Sequence, residues 1–155
     1  MYNRILVPLD GSEMAEKILP HVKMLARCTG GEIVLLRTPV AIPASETLNA
    51  MAINPTPGAL PPGYEHQEMV DETEGYLARV HDDLDKQGFQ VRIVMAEGHP
   101  ADQIVQVAQE ENVDLIAMCT HGRTGLGRIV WGSVAEDVLH HSHRPVLLVC
   151  PHEQD

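Results

Sequence analysis

The sequence predicts an α/β protein in which one parallel sheet of five strands is covered by helices on both faces. Short aliphatic runs alternate along the chain with longer segments of helical periodicity. The 155 residues suit a single domain, and 44% of them are hydrophobic while only 3% are aromatic. A core built from aliphatic side chains is typical of parallel strands buried on both sides. We therefore treat residues 1–155 as one domain.

The predicted elements follow one another in the order β-α-β-loop-α-β-α-β-α-β. Aliphatic runs place the five strands at 4–9, 32–38, 89–96, 115–118 and 146–149. Apolar residues at helical spacing place helices within 12–30, 64–88, 100–111 and 134–141. Ser12 or Asp10 is the expected cap of the first helix, and Pro20 is expected to bend it because proline lacks an N–H donor.

A proline-rich loop at 39–63 interrupts this alternation. Six prolines fall in it with little periodicity, at positions 39, 43, 55, 57, 61 and 62. Loops of this length are usually functional or disordered. A lid over a ligand, a contact for a protein partner and a mobile insertion all remain open interpretations.

The segment that carries most functional information begins at the fourth strand and reads VDLIAMCTHGRTGLGRIVWGSVAEDVLHH. It predicts a strand, a glycine-bearing loop and a helix start at Gly132-Ser133. Such a loop suits an anionic ligand, usually phosphate, because glycines allow close approach and the first-turn N–H groups of a helix are free. Glycines also serve as ordinary turns, so the residues alone leave both interpretations open.

Asp10 is the other informative residue. It follows the first predicted strand, and open α/β sheets bind ligands at the carboxyl ends of their strands. The alternative is a purely structural helix cap.

Several stretches resemble the universal stress protein family. The spacing of Gly122, nine residues and Gly132-Ser133 is similar to the nucleotide loop of that family, and THGRTGLGR, GSVAEDVL, ILVPLDGSE and PADQIVQVA are similar to family segments. One departure is Cys119, which stands where the family loop has its first glycine. Its side chain is expected to crowd a nucleotide.

The resemblance implies a flavodoxin-like sheet with strand order 3-2-1-4-5, in which Asp10 and the Gly122 loop flank one crevice. It also implies bound ATP, with Mg²⁺ held through the phosphates and Asp10 as a candidate ligand. The implied nucleotide-binding residues are Pro8, Leu9, Asp10, Thr38, Met118, Cys119, His121, Gly122, Arg123, Gly132, Ser133, Val134 and Ala135. A core or turn role for His121 stays open.

Composition and the resemblance together set the expected partners. A formal net charge of −11 disfavours nucleic acid and anionic membranes as partners. Three cysteines without paired spacing, no signal peptide and no membrane-length apolar run indicate a cytoplasmic protein. The resemblance implies a homodimer through strand Val146–Val149, and an unidentified protein partner is a further expectation.

No catalytic set emerges from the sequence, because there is no Walker motif and no second carboxylate placed to activate water. We expect an ATP-binding regulator or sensor of stress with little or slow hydrolysis. A nucleotide-free dimeric adaptor and a slow ATP hydrolase remain alternatives.

Overall fold

The computed structural model describes residues 2–39, 64–120, 123–125, 128–130 and 132–151, with backbone alone for 64–69, 123–125 and 128–130. The loop predicted at 39–63 therefore lies outside the described residues, apart from Pro39.

A five-stranded parallel sheet forms the centre of the protein. Its strands are β1 (Arg4–Pro8), β2 (Glu32–Arg37), β3 (Val91–Met95), β4 (Leu115–Cys119) and β7 (Val146–Val149). They lie in the order β3-β2-β1-β4-β7, and every neighbouring pair is parallel. The predicted order 3-2-1-4-5 is thus confirmed, with β7 as the fifth strand.

Helices cover both faces of this sheet. They are α1 (Glu13–Glu16), α2 (Leu19–Thr29), α3 (Tyr64–Asp85), α4 (Pro100–Glu110) and α5 (Ser133–His141). Apolar residues of α2 and α3 share one buried cluster with alternate strand residues such as Ile5 and Val7. Residues of α4 and α5 share the other with Leu6 and Ile116. None of these helices is long and apolar enough to cross a membrane.

The first helical region differs from the single bent helix that the sequence predicts. It consists of two helices, and Pro20 lies in the first turn of α2 instead of inside a continuous helix. Proline is tolerated there because the first-turn N–H groups have no partner within a helix. The chain restarts a helix instead of bending one.

The predicted glycine loop also contains structure of its own. Two short strands, β5 (Arg123–Gly125) and β6 (Arg128–Val130), pair antiparallel as a separate small sheet. The glycines at 122, 125 and 127 predicted only a loop. Strands of three residues are too short for alternation to reveal them. This hairpin stands between β4 and α5.

The amino end of the main sheet is held by charged side chains. Asp114, which precedes β4, accepts hydrogen bonds at Oδ2 from the backbone N–H groups of Asn3 and Arg4, at 2.8 and 2.9 Å. Glu32 on β2 pairs with Arg4 at 2.8 Å and with Arg92 on β3 at 3.2 Å. These contacts join four neighbouring strands, β3, β2, β1 and β4, near their beginnings.

Substitution of Asp114 is expected to loosen the start of β1. Asp114→Ala removes a carboxylate that satisfies two backbone donors, and we expect a loss of about 2 kcal/mol in the free energy of unfolding. Asp114→Asn keeps an acceptor oxygen and should lose about half as much. Urea unfolding of both variants measures the difference. Equal losses would show that the charge, and not the two hydrogen bonds, is what stabilises this end.

Candidate functional site

A crevice opens between β1 and β4 at the carboxyl edge of the sheet. Their ladder contains only the pairs Ile5–Leu115 and Leu6–Ile116. By contrast, β1 stays paired with β2 as far as Pro8, and β4 stays paired with β7 as far as Cys119. The two central strands therefore separate, and their connections leave toward opposite faces of the sheet. Such a switch point is where open α/β sheets bind ligands.

A cavity of about 430 Å³ occupies this crevice. That volume lies within the range of about 300–1,000 Å³ that is common for small-molecule sites. Ten of the thirteen predicted site residues line it: Pro8, Leu9, Asp10, Thr38, Met118, Cys119, Gly132, Ser133, Val134 and Ala135. Their role in binding remains a prediction, but the fold brings them to one place.

The other three predicted residues are not part of this described wall. His121 and Gly122 lie outside the described residues, and Arg123 is described only as backbone in β5. Their part in a binding site stays a prediction.

The turn after β1 fixes the position of Asp10. The Asp10 Oδ1 atom accepts a hydrogen bond from Ser12 N at 2.8 Å, and Ser12 Oγ accepts one from Ala15 N at 3.1 Å. Ser12 is thus the cap of α1, while Asp10 stabilises the turn that leads into it. Gly11 has a φ of +88°, which a residue with a side chain rarely adopts. The exposed carboxylate of Asp10 is held at the rim of the cavity.

The opposite side of the cavity is the start of α5. Gly132 is the N-cap, and its lack of a side chain leaves the first-turn N–H groups of the helix without a side-chain cap. The Gly132 N–H donates to Thr120 Oγ1 at 3.2 Å, which ties the helix start to the end of β4. Ser133 is exposed beside it. These free donors and the positive end of the helix dipole suit an anion.

Ten lining residues were not among the predicted site residues, and Thr120, Arg37 and Thr73 are three of them. Thr120 is 3% exposed and holds the start of α5, Arg37 ends β2, and Thr73 faces the cavity from α3. Thr120 stands next to a predicted site residue, so the same motif could have indicated it. Thr73 has helical spacing with apolar residues, which predicted only core packing for it. The spatial neighbours of Arg37 could not be read from the chain.

Cys119 lies half-buried on the cavity wall. Burial, together with the nearby Cys150, raises the pKa of the Cys119 thiol to about 11. The thiol is therefore neutral at physiological pH and behaves as a small apolar group. The volume of the cavity is what remains with this side chain in place, so Cys119 narrows the crevice without filling it.

The described residues include no group of three or more histidine, cysteine, aspartate or glutamate side chains that could hold a metal ion. Asp10 is the carboxylate that this part of the chain places at the rim.

Comparison with known proteins establishes the family. The model of the universal stress protein family matches residues 1–149. Universal stress protein MJ0577 of Methanocaldococcus jannaschii is 32% identical over 96% of this chain and 95% of its own length. Universal stress protein YxiE of Bacillus subtilis is 30% identical over 96% of this chain and 99% of its own. The chain belongs to the universal stress protein family.

Solved structures agree with this fold. The structure of MJ0577 has a TM-score of 0.77 at 30% identity and covers 99% of each chain. A universal stress protein of Archaeoglobus fulgidus in complex with dAMP has a TM-score of 0.65 at 22% identity and covers 95% of this chain and 97% of its own. Another in complex with cAMP has a TM-score of 0.59 at 18% identity, covering 97% and 98%. These last two are similar in fold alone.

The raised pKa of Cys119 predicts slow alkylation. At pH 8 a thiol with a pKa of about 11 is ionised in roughly one molecule in a thousand, and the thiolate is the reactive form. Cys28 is exposed and serves as an internal control. With iodoacetamide and mass spectrometry of peptides, Cys28 should be modified first, and the rate at Cys119 should still be rising above pH 10. Equal rates at pH 8 would contradict the assigned environment.

Proposed function

We propose that this protein binds ATP, as Mg-ATP, in the β1–β4 cavity and acts as a stress-response regulator or sensor with little or slow hydrolysis. The observation that carries the proposal is the pairing of an uncapped helix start with an acidic turn on opposite sides of one cavity. The first suits phosphates, and the second suits the hydroxyl groups of a sugar.

Phosphates fit best at the start of α5. Its backbone N–H groups need an acceptor, and the helix dipole favours negative charge there. Gly132 keeps this surface open, and Ser133 can add a hydroxyl donor. Val134 and Ala135 would contribute main-chain N–H groups of the first turn. A protein with a formal net charge of −11 can hold an anion in this way because the donors are local.

The ribose and base fit at the ends of β1 and β2. The Asp10 carboxylate repels phosphate but accepts hydrogen bonds from sugar hydroxyls. Pro8, Leu9 and Thr38 would line the base through their main chain, and Met118 would cover it from the β4 side. Mg²⁺ would be held mainly by phosphate oxygens, with Asp10 as a candidate ligand, and would offset the repulsion between the phosphates and an acidic protein.

Relatives support a nucleotide as the ligand class. The dAMP and cAMP bound by two proteins of this fold are adenine nucleotides, and a cavity of about 430 Å³ has room for a molecule of that size. The choice of ATP over shorter nucleotides rests on the uncapped start of α5, which can take a longer phosphate chain.

Slow hydrolysis is the expected behaviour because no residue is assigned as the base that would activate water. Asp10 is the carboxylate on the cavity wall, and its Oδ1 atom is already engaged with Ser12 N. A slow ATP hydrolase remains the enzymatic alternative, and phosphate release that depends on both Mg²⁺ and Asp10 would favour it.

A nucleotide-free adaptor is the second candidate, and Cys119 is the observation that favours it. Its side chain occupies part of the wall where the family loop has a glycine. In that case the protein would act through contacts with another protein and not through bound nucleotide.

We also propose that the protein is a cytoplasmic homodimer joined through β7. This strand is the outer strand of the main sheet beside β4. Pro145 O and Val149 O accept hydrogen bonds from β4, so the alternating backbone groups of Val146 and Leu148 face the open edge. An aliphatic edge strand of this kind invites pairing with a second copy.

The binding proposal predicts that ATP purifies with the protein. Protein prepared without added nucleotide is denatured, and the released small molecules are identified by mass spectrometry. Gly132→Val is the control variant. Of the described residues, Thr120 Oγ1 is the one atom that a Cβ at Gly132 would meet, at 3.9 Å, so this part of the fold should tolerate the change while the side chain blocks the phosphate position. We expect ATP from the natural sequence and at least about tenfold less from the variant.

Each other result has a distinct meaning. ADP or AMP alone would favour the hydrolase alternative. No nucleotide, together with no rise in melting temperature on addition of Mg-ATP, would contradict ATP binding and favour the adaptor. An equal amount of ATP from the variant would place the ligand away from α5.

The dimer proposal predicts a particle with twice the chain mass of 17.0 kDa in sedimentation equilibrium at micromolar concentration. Leu148→Pro removes an N–H donor that faces the open edge and leaves the ladder with β4 intact, so it should shift the protein toward monomer. Circular dichroism checks that the variant remains folded. A monomer of the natural sequence at this concentration would contradict pairing through β7.

A further inference from the structure

The β2 side of the cavity carries two polar side chains that the proposed ATP site does not use. Arg37, the last residue of β2, and Thr73, on α3, both line the cavity. We refer to these two residues as the polar wall. In the sheet, β2 and β4 lie on opposite sides of β1, and the chain continues from β4 to the start of α5. The polar wall and the start of α5 therefore belong to opposite sides of the crevice.

The hydroxyl group of Thr73 lacks a hydrogen-bond partner among the described residues, although the residue is only 1% exposed. Burying a hydroxyl without a partner is unfavourable, because the bond it made to water is lost. Valine has nearly the same shape and would pack equally well there. The Oγ1 atom is enclosed by protein, and a change of the Thr73 rotamer would turn the hydroxyl toward the cavity that this residue lines, where a bound molecule would supply the missing partner.

The guanidinium group of Arg37 lies over an aromatic ring. Its Cζ lies 4.9 Å from the centre of the Tyr76 ring, and its Nη2 atom would be 3.0 Å from a Cβ at Gly11, so the group also lies close to the turn after β1. Burial and the neighbouring Glu16 carboxylate raise the pKa of Tyr76, so the ring stays neutral and attracts the cation. None of the ion pairs found among the described residues involves Arg37. Within this part of the chain, its N–H donors are not taken up by a carboxylate.

Arg79 provides the contrast. Its Cζ also lies over the Tyr76 ring, at 5.2 Å, but its Nη2 atom pairs with Glu16 Oε1 at 3.6 Å, and it is not a cavity-lining residue. Two arginines thus share one aromatic ring, and only Arg37 faces the cavity. Arg79 shows that an arginine can stack on Tyr76 while it forms an ion pair away from the cavity. Stacking therefore does not explain why Arg37 lines the cavity and has no ion pair among the described residues.

We infer that Arg37 and Thr73 form a subsite that donates hydrogen bonds to acceptor atoms of the base of the bound nucleotide. This inference rests on the proposed function, since it takes the phosphates to lie at the start of α5 and the base to lie at the β2 end. Purine bases carry ring nitrogens, and guanine a carbonyl oxygen, which accept from arginine and hydroxyl donors. The polar wall would bind the base by its edge, while Thr38 and Pro8 contact it through the main chain.

The test compares four proteins: the natural sequence, Thr73→Val, Arg37→Met and the matched control Arg79→Met. Isothermal titration with Mg-ATP should show a dissociation constant raised roughly fivefold to tenfold in Thr73→Val and about tenfold or more in Arg37→Met. Arg79→Met should differ from the natural sequence by less than about twofold, since it removes stacking on Tyr76 but no ligand contact. Inorganic tripolyphosphate has no base, so its affinity should be equal in all four proteins.

Thermal melting separates this assignment from a structural role. Thr73→Val should melt at the same temperature as the natural sequence or higher, because it removes an unpaired buried hydroxyl. A lower melting temperature of Thr73→Val with unchanged ATP affinity would overturn this inference but not the proposed function. Equal weakening of ATP and tripolyphosphate binding in the Thr73 and Arg37 variants would have the same meaning. Absence of ATP binding by the natural sequence would overturn the proposed function and this inference together.

Discussion

The early end of the β1–β4 ladder is the constraint on which the site depends. Two residue pairs join these central strands, and beyond Leu6 and Ile116 the backbones separate. The separation follows from topology, because the chain leaves β1 toward one face and leaves β4 toward the other. The outer pairings continue farther and keep each half of the sheet rigid. A cavity at this point therefore costs the fold no additional strand pairing.

Charge is distributed unequally between the two ends of the sheet. At the amino end, Asp114 accepts from two backbone N–H groups, and Glu32 joins Arg4 to Arg92. At the carboxyl end, the start of α5 lacks a side-chain cap and Thr73 has no described partner. The polar groups named here thus have hydrogen-bond or ion-pair partners where the strands begin, and lack described side-chain partners where the strands end. Stabilising contacts at one end offset the unsatisfied donors at the other, an arrangement expected of a fold that keeps its binding groups free.

The sequence predicted most of the fold because the signals were local. The aliphatic runs and the helical spacing defined the strands and helices, and the bounds of β7 agree with the structure at both ends. It also predicted ten residues of the cavity wall, since they belong to motifs at the ends of strands. It failed where a local rule has two outcomes. A proline can bend a helix or start one, and at Pro20 it starts one. Glycines in a short segment can form a loop or a hairpin, and Arg123–Gly125 is a strand.

Thr73 and Arg37 show a deeper limit of sequence reasoning. Thr73 shares its helical spacing with Tyr76 and Leu77, so periodicity assigned it to the core, and burial agrees. What the periodicity could not reveal is that Thr73 also lines a cavity and that its hydroxyl has no described partner. Arg37 ends a strand, and its neighbours Gly11 and Tyr76 are 26 and 39 positions away in the sequence. In a protein with a net charge of −11, such a cation would be expected to pair with a carboxylate. Among the described residues, Arg37 stacks on a neutral ring and forms no ion pair, which is how an acidic protein can keep a cation available for a ligand.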